Sequence, residues 1–145
     1  MKVNFYEEVD DSLLKFAVII YKSFVKFVFC KHKERFTYEI HGGHRENCET
    51  ILQTAKRELY EETGAIRYEI TPVCVYSVIG KNRVNKDGEE TFGMLFYANI
   101  TEFETELHSE MEKVELFDDL PKDWTYPLIQ PELVKKIIEI KGEAL

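Results

Sequence analysis

Arg57, Glu58, Glu61 and Glu62 crowd one charged cation and three carboxylates into a single short stretch of the chain. If that stretch is helical, at about 100° per residue, Glu58 and Glu62 stack one turn apart and Glu61 stands beside them. Like charges so placed cost a helix about 0.2–0.5 kcal/mol per pair, so something should offset them. A stripe of hard oxygen donors suits Mg²⁺ or Mn²⁺. Arg57 reaches Glu61 at i,i+4 and can hold one carboxylate in position behind such an ion. Taken alone, the same stripe also fits a solvated face in an acid-rich protein.

The segment from Asn47 to Thr63 is expected to carry this stripe as a helix. Asn47 serves as the N-cap, Glu49 and Thr50 fall in the first turn, and Gly64 stops the helix. Leu52, Ala55 and Leu59 recur at helical spacing and form the apolar stripe beside the acids. Before the helix, Lys15 to Tyr21 and Phe24 to Lys31 read as two strands of a hairpin. Phe36 to Ile40 is a short extended run, stopped by a turn at His41-Gly42-Gly43. After the helix, Ile70 to Ile79 and Thr91 to Ile100 read as longer strands, joined by a polar stretch with the turn pair Asp87-Gly88. Glu102 to Glu112 is acidic and irregular, and Val114 to Phe117 is a further short strand. Asp118 to Trp124 reads as a loop, and Pro131 to Lys141 as an amphipathic helix on Leu133, Val134, Ile137 and Ile138. Strands in hairpins and around a helix imply an α/β (α+β) class, a mixed sheet with helices on its faces.

The 145 residues fit one domain, 1–145, with a core large enough to need no disulfides. Cys30, Cys48 and Cys74 are odd in number and widely spaced, which suggests buried or half-buried free thiols in a reducing compartment. Met1 to Asp11 lacks the basic and apolar segments of a signal peptide, and no apolar run is long enough to span a bilayer, so a cytoplasmic location is expected. A net charge of −8 speaks against an extended nucleic-acid surface or membrane binding. It does not exclude an anionic small substrate if divalent cations stand between the phosphates and the acids.

Outward from the helix the spacing is Gly43, five residues, Glu49, seven residues, then Arg57-Glu58-Leu59-Tyr60-Glu61-Glu62-Thr63-Gly64. This resembles the Nudix box at every fixed glycine, glutamate and arginine. The resemblance covers Gly43 to Ala65 and implies a Nudix-type α/β/α sandwich with a loop-helix-loop catalytic motif. By that resemblance Glu58, Glu61 and Glu62 would be ligands of Mg²⁺ or Mn²⁺, joined by the carbonyl of Gly42. Gly43, Glu49 and Gly64 would support the loop, with Glu49 an alternative ligand of a second metal, and Arg57 would orient the glutamates.

The implied reaction is hydrolysis of a nucleoside diphosphate linked to another group, by in-line attack of a metal-activated water. The proton acceptor is open between Glu58 and a downstream acid. Glu110 resembles the acid that mutator-type relatives place there, with Glu106 and Glu112 as rivals. Two positions depart from the pattern. His41 stands where proline is usual, and Ala65 replaces a bulky aliphatic residue whose space Ile66 could fill.

Length and the stretch Leu116-Phe117-Asp118-Asp119-Leu120-Pro121 most resemble the mutator-type (MutT-like) branch, which converts normal or oxidised nucleoside triphosphates to monophosphate and pyrophosphate. Nucleotide sugars, dinucleoside polyphosphates and RNA 5′ ends are alternative substrates among small relatives. Lys81, Arg83 and Lys86 could touch phosphate or form a solvated hairpin tip. Phe36, Tyr38, Tyr76 and Phe92 could stack on a base or pack in the core. The partner implied is a small nucleotide, with a homodimer left open. A reading of another class is a nucleotide-sensing Nudix domain without catalysis. Such domains typically lose the box glutamates, all of which are retained here.

Overall fold

The computed structural model describes residues 2–23, 26–32, 38–80, 87–104, 111–117, 124 and 127–141, with the backbone alone along 26–32, 38, 39, 41, 111–117 and 141. The elements run β1 (Lys2–Tyr6), a 3-10 turn (Asp11–Leu13), β2 (Leu14–Ser23), β3 (Lys26–His32), β4 (Tyr38–Glu39) and β5 (His41–His44). They continue with α1 (Ile51–Thr63), β6 (Ala65–Ile79), β7 (Thr91–Phe103), β8 (Met111–Phe117) and α2 (Gln130–Lys141). Strand order is β1-β6-β7-β2-β3-β4, with β5 beside β2 and β8 beside β3. Strands β2 and β7 run parallel and the other pairs antiparallel, so the sheet is mixed as expected.

A helix on each face explains why β2 is apolar without alternation. Ala17, Ile19 and Tyr21 pack with Phe96, Ala98 and Ile100 under Ala55 and Leu59 of α1. Ile20, pointing the other way, packs with Tyr76, Val78 and Leu95 under Leu133, Val134 and Ile137 of α2. Ile138, expected in that stripe, is 40% exposed and lies outside the core cluster of Leu133, Val134 and Ile137. Among the described residues no helix is long and apolar enough to cross a membrane.

Several expected boundaries move. The β2–β3 hairpin exists, but its recorded pairs are only Lys22↔Phe27 and Ser23↔Lys26. The first half of that edge is taken by β5, where Phe16 to Ile19 pair with His44 to His41. The expected His41-Gly42-Gly43 turn is therefore a strand. Its glycines serve close approach, since a β-carbon on Gly42 would stand 2.5 Å from the Ala17 carbonyl oxygen. Strand β6 starts at Ala65, well before Ile70, and β7 runs past Ile100 to Phe103. Glu102, expected in an irregular segment, pairs with Arg67 in that ladder. Strand β1 was not anticipated. It covers the far end of β6, with Lys2 to Tyr6 opposite Ile79 to Val75.

Helix α1 begins at Ile51, and Asn47 is not its cap. Asn47 and Cys48 form a turn, with Cys48 at φ 66°, and Thr50 is the N-cap. The Thr50 hydroxyl accepts from the Gln53 N–H at 3.1 Å, and the Gln53 side chain accepts from the Thr50 N–H at 2.9 Å. This reciprocal box satisfies two N–H groups that the helix itself leaves unpaired. The later start puts Ile51 against the core and leaves Leu52 38% exposed, outside the apolar stripe expected for it. Ala65 is buried, whereas Ile66 points outward at 48% exposure and does not fill the neighbouring space. Cys74 is a buried free thiol, but Cys48 is exposed on its turn. The side chain of Cys30 lies outside the described residues.

Candidate active site

Helix α1 lies across β2 and β5, so its acidic stripe borders the strand that carries Gly42 and Gly43. The helix ends where Gly64 takes the left-handed φ of 73°, its N–H donating to the Tyr60 carbonyl at 2.8 Å. That conformation costs glycine little and any other residue more.

Arg57 is the centre of the charge arrangement. Its Nε donates to Glu49 Oε2 at 2.7 Å and its Nη2 to Glu49 Oε1 at 3.0 Å, a two-pronged contact. Its Nη1 donates to Glu58 Oε1 at 2.7 Å, and Nη2 also reaches the His44 carbonyl at 3.0 Å. The expected bond to Glu61 exists at 3.4 Å, but it is the longest of the set. Arg57 therefore ties the loop before the helix to the stripe on it.

Glu49 sits ahead of the helix instead of in its first turn. Its side chain is only 16% exposed and also accepts from the Glu46 N–H and the Thr54 hydroxyl, each at 2.9 Å. The Arg57 hydrogen bonds, helped by the Glu46 N–H, hold its carboxyl down at about 2. Glu49 and Glu58 in turn push the Arg57 guanidinium further up from its already high value. The pair stays ionised at any ordinary pH, which makes it a permanent strut.

Glu58 and Glu62 face the glycine strand in different ways. The Glu58 carboxylate fills the space where a β-carbon on Gly43 would stand, so only glycine fits there without displacing it. Glu62 Oε2 accepts from the Gly42 N–H at 3.2 Å. Glu61 is the freest of the three, its side chain 53% exposed.

The donor set suits a hard divalent cation: three carboxylates on one helix stripe, beside a glycine strand that leaves room for one of them. Among the described residues no three acidic, thiol or imidazole side chains converge on one point as they stand. Glu58 is drawn toward Arg57, and Glu62 toward Gly42. Glu61 is exposed and Glu62 half-buried, whereas Glu58 is only 13% exposed and held by Arg57 at 2.7 Å, so the residues fit a divalent metal in kind.

The structure thus brings together Gly42, Gly43, Glu49, Arg57, Glu58, Glu61, Glu62 and Gly64. Glu110, Lys81, Arg83 and Lys86 lie outside the described residues, as do Glu106 and Phe36. Tyr38 lies in β4 and His41 in β5, their side chains likewise outside the description. Phe92 is half-buried and packs on Tyr6 with ring centroids 5.8 Å apart, while Tyr76 is 6% exposed in the core. Two contributors were missed. Thr54 was signalled by a hydroxyl one turn before the glutamate stripe. Arg45 was signalled by a cation in a loop otherwise rich in acids.

A family model described as the NUDIX domain matches residues 12–134. The fold is similar to that of the Bacillus subtilis pyrophosphohydrolase BsRppH, with a TM-score of 0.76 and 24% identity, covering 97% of this chain and 92% of that one. It is also similar to a UDP-X diphosphatase at TM-score 0.69 and 15% identity, covering 95% of this chain and 67% of that one. A MutT NUDIX hydrolase from Burkholderia pseudomallei matches at TM-score 0.61 and 20% identity, covering 83% of this chain and 98% of that one. No match is found among the curated proteins.

Proposed function

The chain belongs to the Nudix family of hydrolases acting on pyrophosphate bonds, and on that premise we propose that it is a metal-dependent nucleoside triphosphate pyrophosphohydrolase. It would convert a normal or oxidised nucleoside 5′-triphosphate to the monophosphate and pyrophosphate. The observation that carries the reading is the Glu58 carboxylate seated against Gly43 and braced by Arg57 at 2.7 Å. A merely solvated acidic face would have no reason to set a carboxylate into a strand or to brace it with a shared arginine.

Glu58, Glu61, Glu62 and the Gly42 carbonyl would hold Mg²⁺ or Mn²⁺. Bound there, such an ion supplies neutralisation of the phosphates and acidifies the attacking water. The chain's own part is positional. Arg57 keeps Glu58 at the glycine strand, and Glu49 keeps Arg57 from turning away. Gly43 leaves room for the Glu58 carboxylate against the strand. A carboxylate would accept the proton of the attacking water, either Glu58 inside the motif or Glu110 outside it.

A second reading keeps the site and changes the leaving group. The fold is shared with a UDP-X diphosphatase, so a nucleoside diphosphate joined to another group is the alternative substrate. A non-catalytic sensor is disfavoured by the retention of all four glutamates with their arginine strut.

The test is product analysis over a panel of normal and oxidised nucleoside triphosphates, nucleotide sugars, dinucleoside polyphosphates and triphosphorylated RNA, with Mg²⁺ or Mn²⁺. Pyrophosphate from free triphosphates supports the first reading. Turnover confined to nucleotide sugars supports the second. Nucleotide binding without turnover of any substrate overturns both.

A further inference from the structure

We propose that Arg45 is a positioning residue for the catalytic stripe, acting on Arg57 and Glu58 through the main chain of Glu49. The inference rests on the hydrolase reading above but concerns a side chain outside the motif's fixed positions. The Arg45 side chain is 20% exposed, and its guanidinium binds two separate chain segments, Asp11 to Leu14 and the loop at Glu49. Its Nε donates to the Glu49 carbonyl at 2.8 Å. Its Nη1 donates to the carbonyls of Asp11 at 3.0 Å and Leu14 at 3.4 Å. Its Nη2 donates to the Asp11 carboxylate at 2.9 Å, and its own N–H bonds the Lys15 carbonyl at 2.8 Å.

The loop needs an external clamp. Between Arg45 and the Thr50 cap, its own recorded main-chain hydrogen bond is Glu49 N–H to the Glu46 carbonyl at 3.2 Å. Cys48 meanwhile holds a φ of 66°, which a non-glycine side chain adopts at a cost. Arg45 fixes the main chain of Glu49 to the 3-10 turn and the start of β2. The Glu49 carboxylate then receives Arg57, and Arg57 receives Glu58 at 2.7 Å. The result is a continuous run of charge-assisted contacts from Asp11 to the stripe. Lysine cannot replace Arg45, because one ammonium on a flexible stem does not reach all of these acceptors in a fixed plane.

The experiment compares wild type with Arg45→Ala and Arg45→Lys, and repeats Arg45→Ala in a Glu49→Gln background. Three quantities are read: kcat and KM for Mg²⁺-dependent triphosphate hydrolysis, the thermal midpoint, and hydrogen exchange at the Arg57 Nε–H by ¹⁵N NMR. Arg45→Ala is expected to lower kcat roughly 10–100-fold while KM moves less than about threefold. Arg45→Lys recovers little. In the Glu49→Gln background the same alanine substitution adds less than about twofold, since the Glu49–Arg57 ion pair through which Arg45 acts is already removed. Unchanged kcat, or an equal loss in both backgrounds, overturns the proposal.

If the wild type hydrolyses no triphosphate, the hydrolase reading falls and the NMR readout judges Arg45 alone. Faster exchange at Arg57 Nε–H in folded Arg45→Ala supports the proposal, and unchanged exchange overturns it. Should Arg45→Ala not fold, Asp11→Ala removes one contact from a carboxylate 69% exposed. A kcat loss of about twofold to fivefold then supports the proposal, and none overturns it.

Discussion

The carboxylate of Glu58 occupies the space that a side chain on Gly43 would need. The obstructing group is the end of a flexible side chain, so an added methyl would displace it without opening the sheet. Gly43→Ala is expected to leave the thermal midpoint near that of the wild type and to lower kcat by roughly 100-fold, as misplacement of a reacting group does. Melting and steady-state kinetics on one preparation check both halves. A large fall in midpoint with activity per folded molecule intact would contradict the assignment.

Gly42 is expected to behave in the opposite way. A β-carbon there would meet main chain, the Ala17 carbonyl at 2.5 Å and the Val18 α-carbon at 3.0 Å. Main chain held in the β2–β5 ladder cannot give way cheaply. Gly42→Ala should cost about 1–3 kcal/mol, a fall in midpoint of roughly 3–10 °C. Calorimetry of Gly42→Ala beside Gly43→Ala separates the two glycines.

The Glu49–Arg57 strut predicts a pH dependence of stability. Arg57, with the Glu46 N–H, holds the Glu49 carboxyl at about 2, below its ordinary value of 4.5. A carboxyl depressed by folding contributes fully above its unfolded pKa, and the contribution is lost as pH falls through the folded one. With chelator present, the stability gap between wild type and Glu49→Gln should therefore be constant above pH about 5 and shrink from about 4.5 down to about 2. Denaturant titrations at a series of pH values measure the gap. A gap unchanged across that window would contradict the strut.

The start of α1 predicts which of two caps matters. Thr50→Ala removes the hydroxyl that accepts from Gln53 and should cost about 1 kcal/mol, or roughly 2–4 °C. Asn47→Ala, on the preceding turn, should change stability by less than about 0.5 kcal/mol. Thermal unfolding of the two variants side by side decides between them.

These residues also mark how far the sequence could be read. The stripe, its helix and the central strands were legible because spacing alone defines them. Leu59 and Ala55 recur with the helix, and the apolar run of β2 implies two covered faces. The helix start was misread even though Thr50 and Gln53 already spell the capping pattern, since Asn47 is an equally good cap by type. Gly42 and Gly43 read as a turn because close approach and chain reversal both favour glycine, and only the partner strand distinguishes them. Strand β1 was invisible for the same kind of reason, as its pairing with β6 joins residues about seventy positions apart. Arg57 was correctly linked to the glutamates. Its strongest partner, Glu49, lies beyond the helix, where helical spacing carries no information.

The most direct test of the central claim is Mg²⁺-dependent release of pyrophosphate from nucleoside triphosphates by the wild type, Glu61→Gln and Glu62→Gln. The account predicts turnover in the wild type that chelator abolishes and that both substitutions reduce at least about 100-fold, with all three chains equally folded. Turnover that survives both substitutions, or that proceeds in chelator, would contradict it.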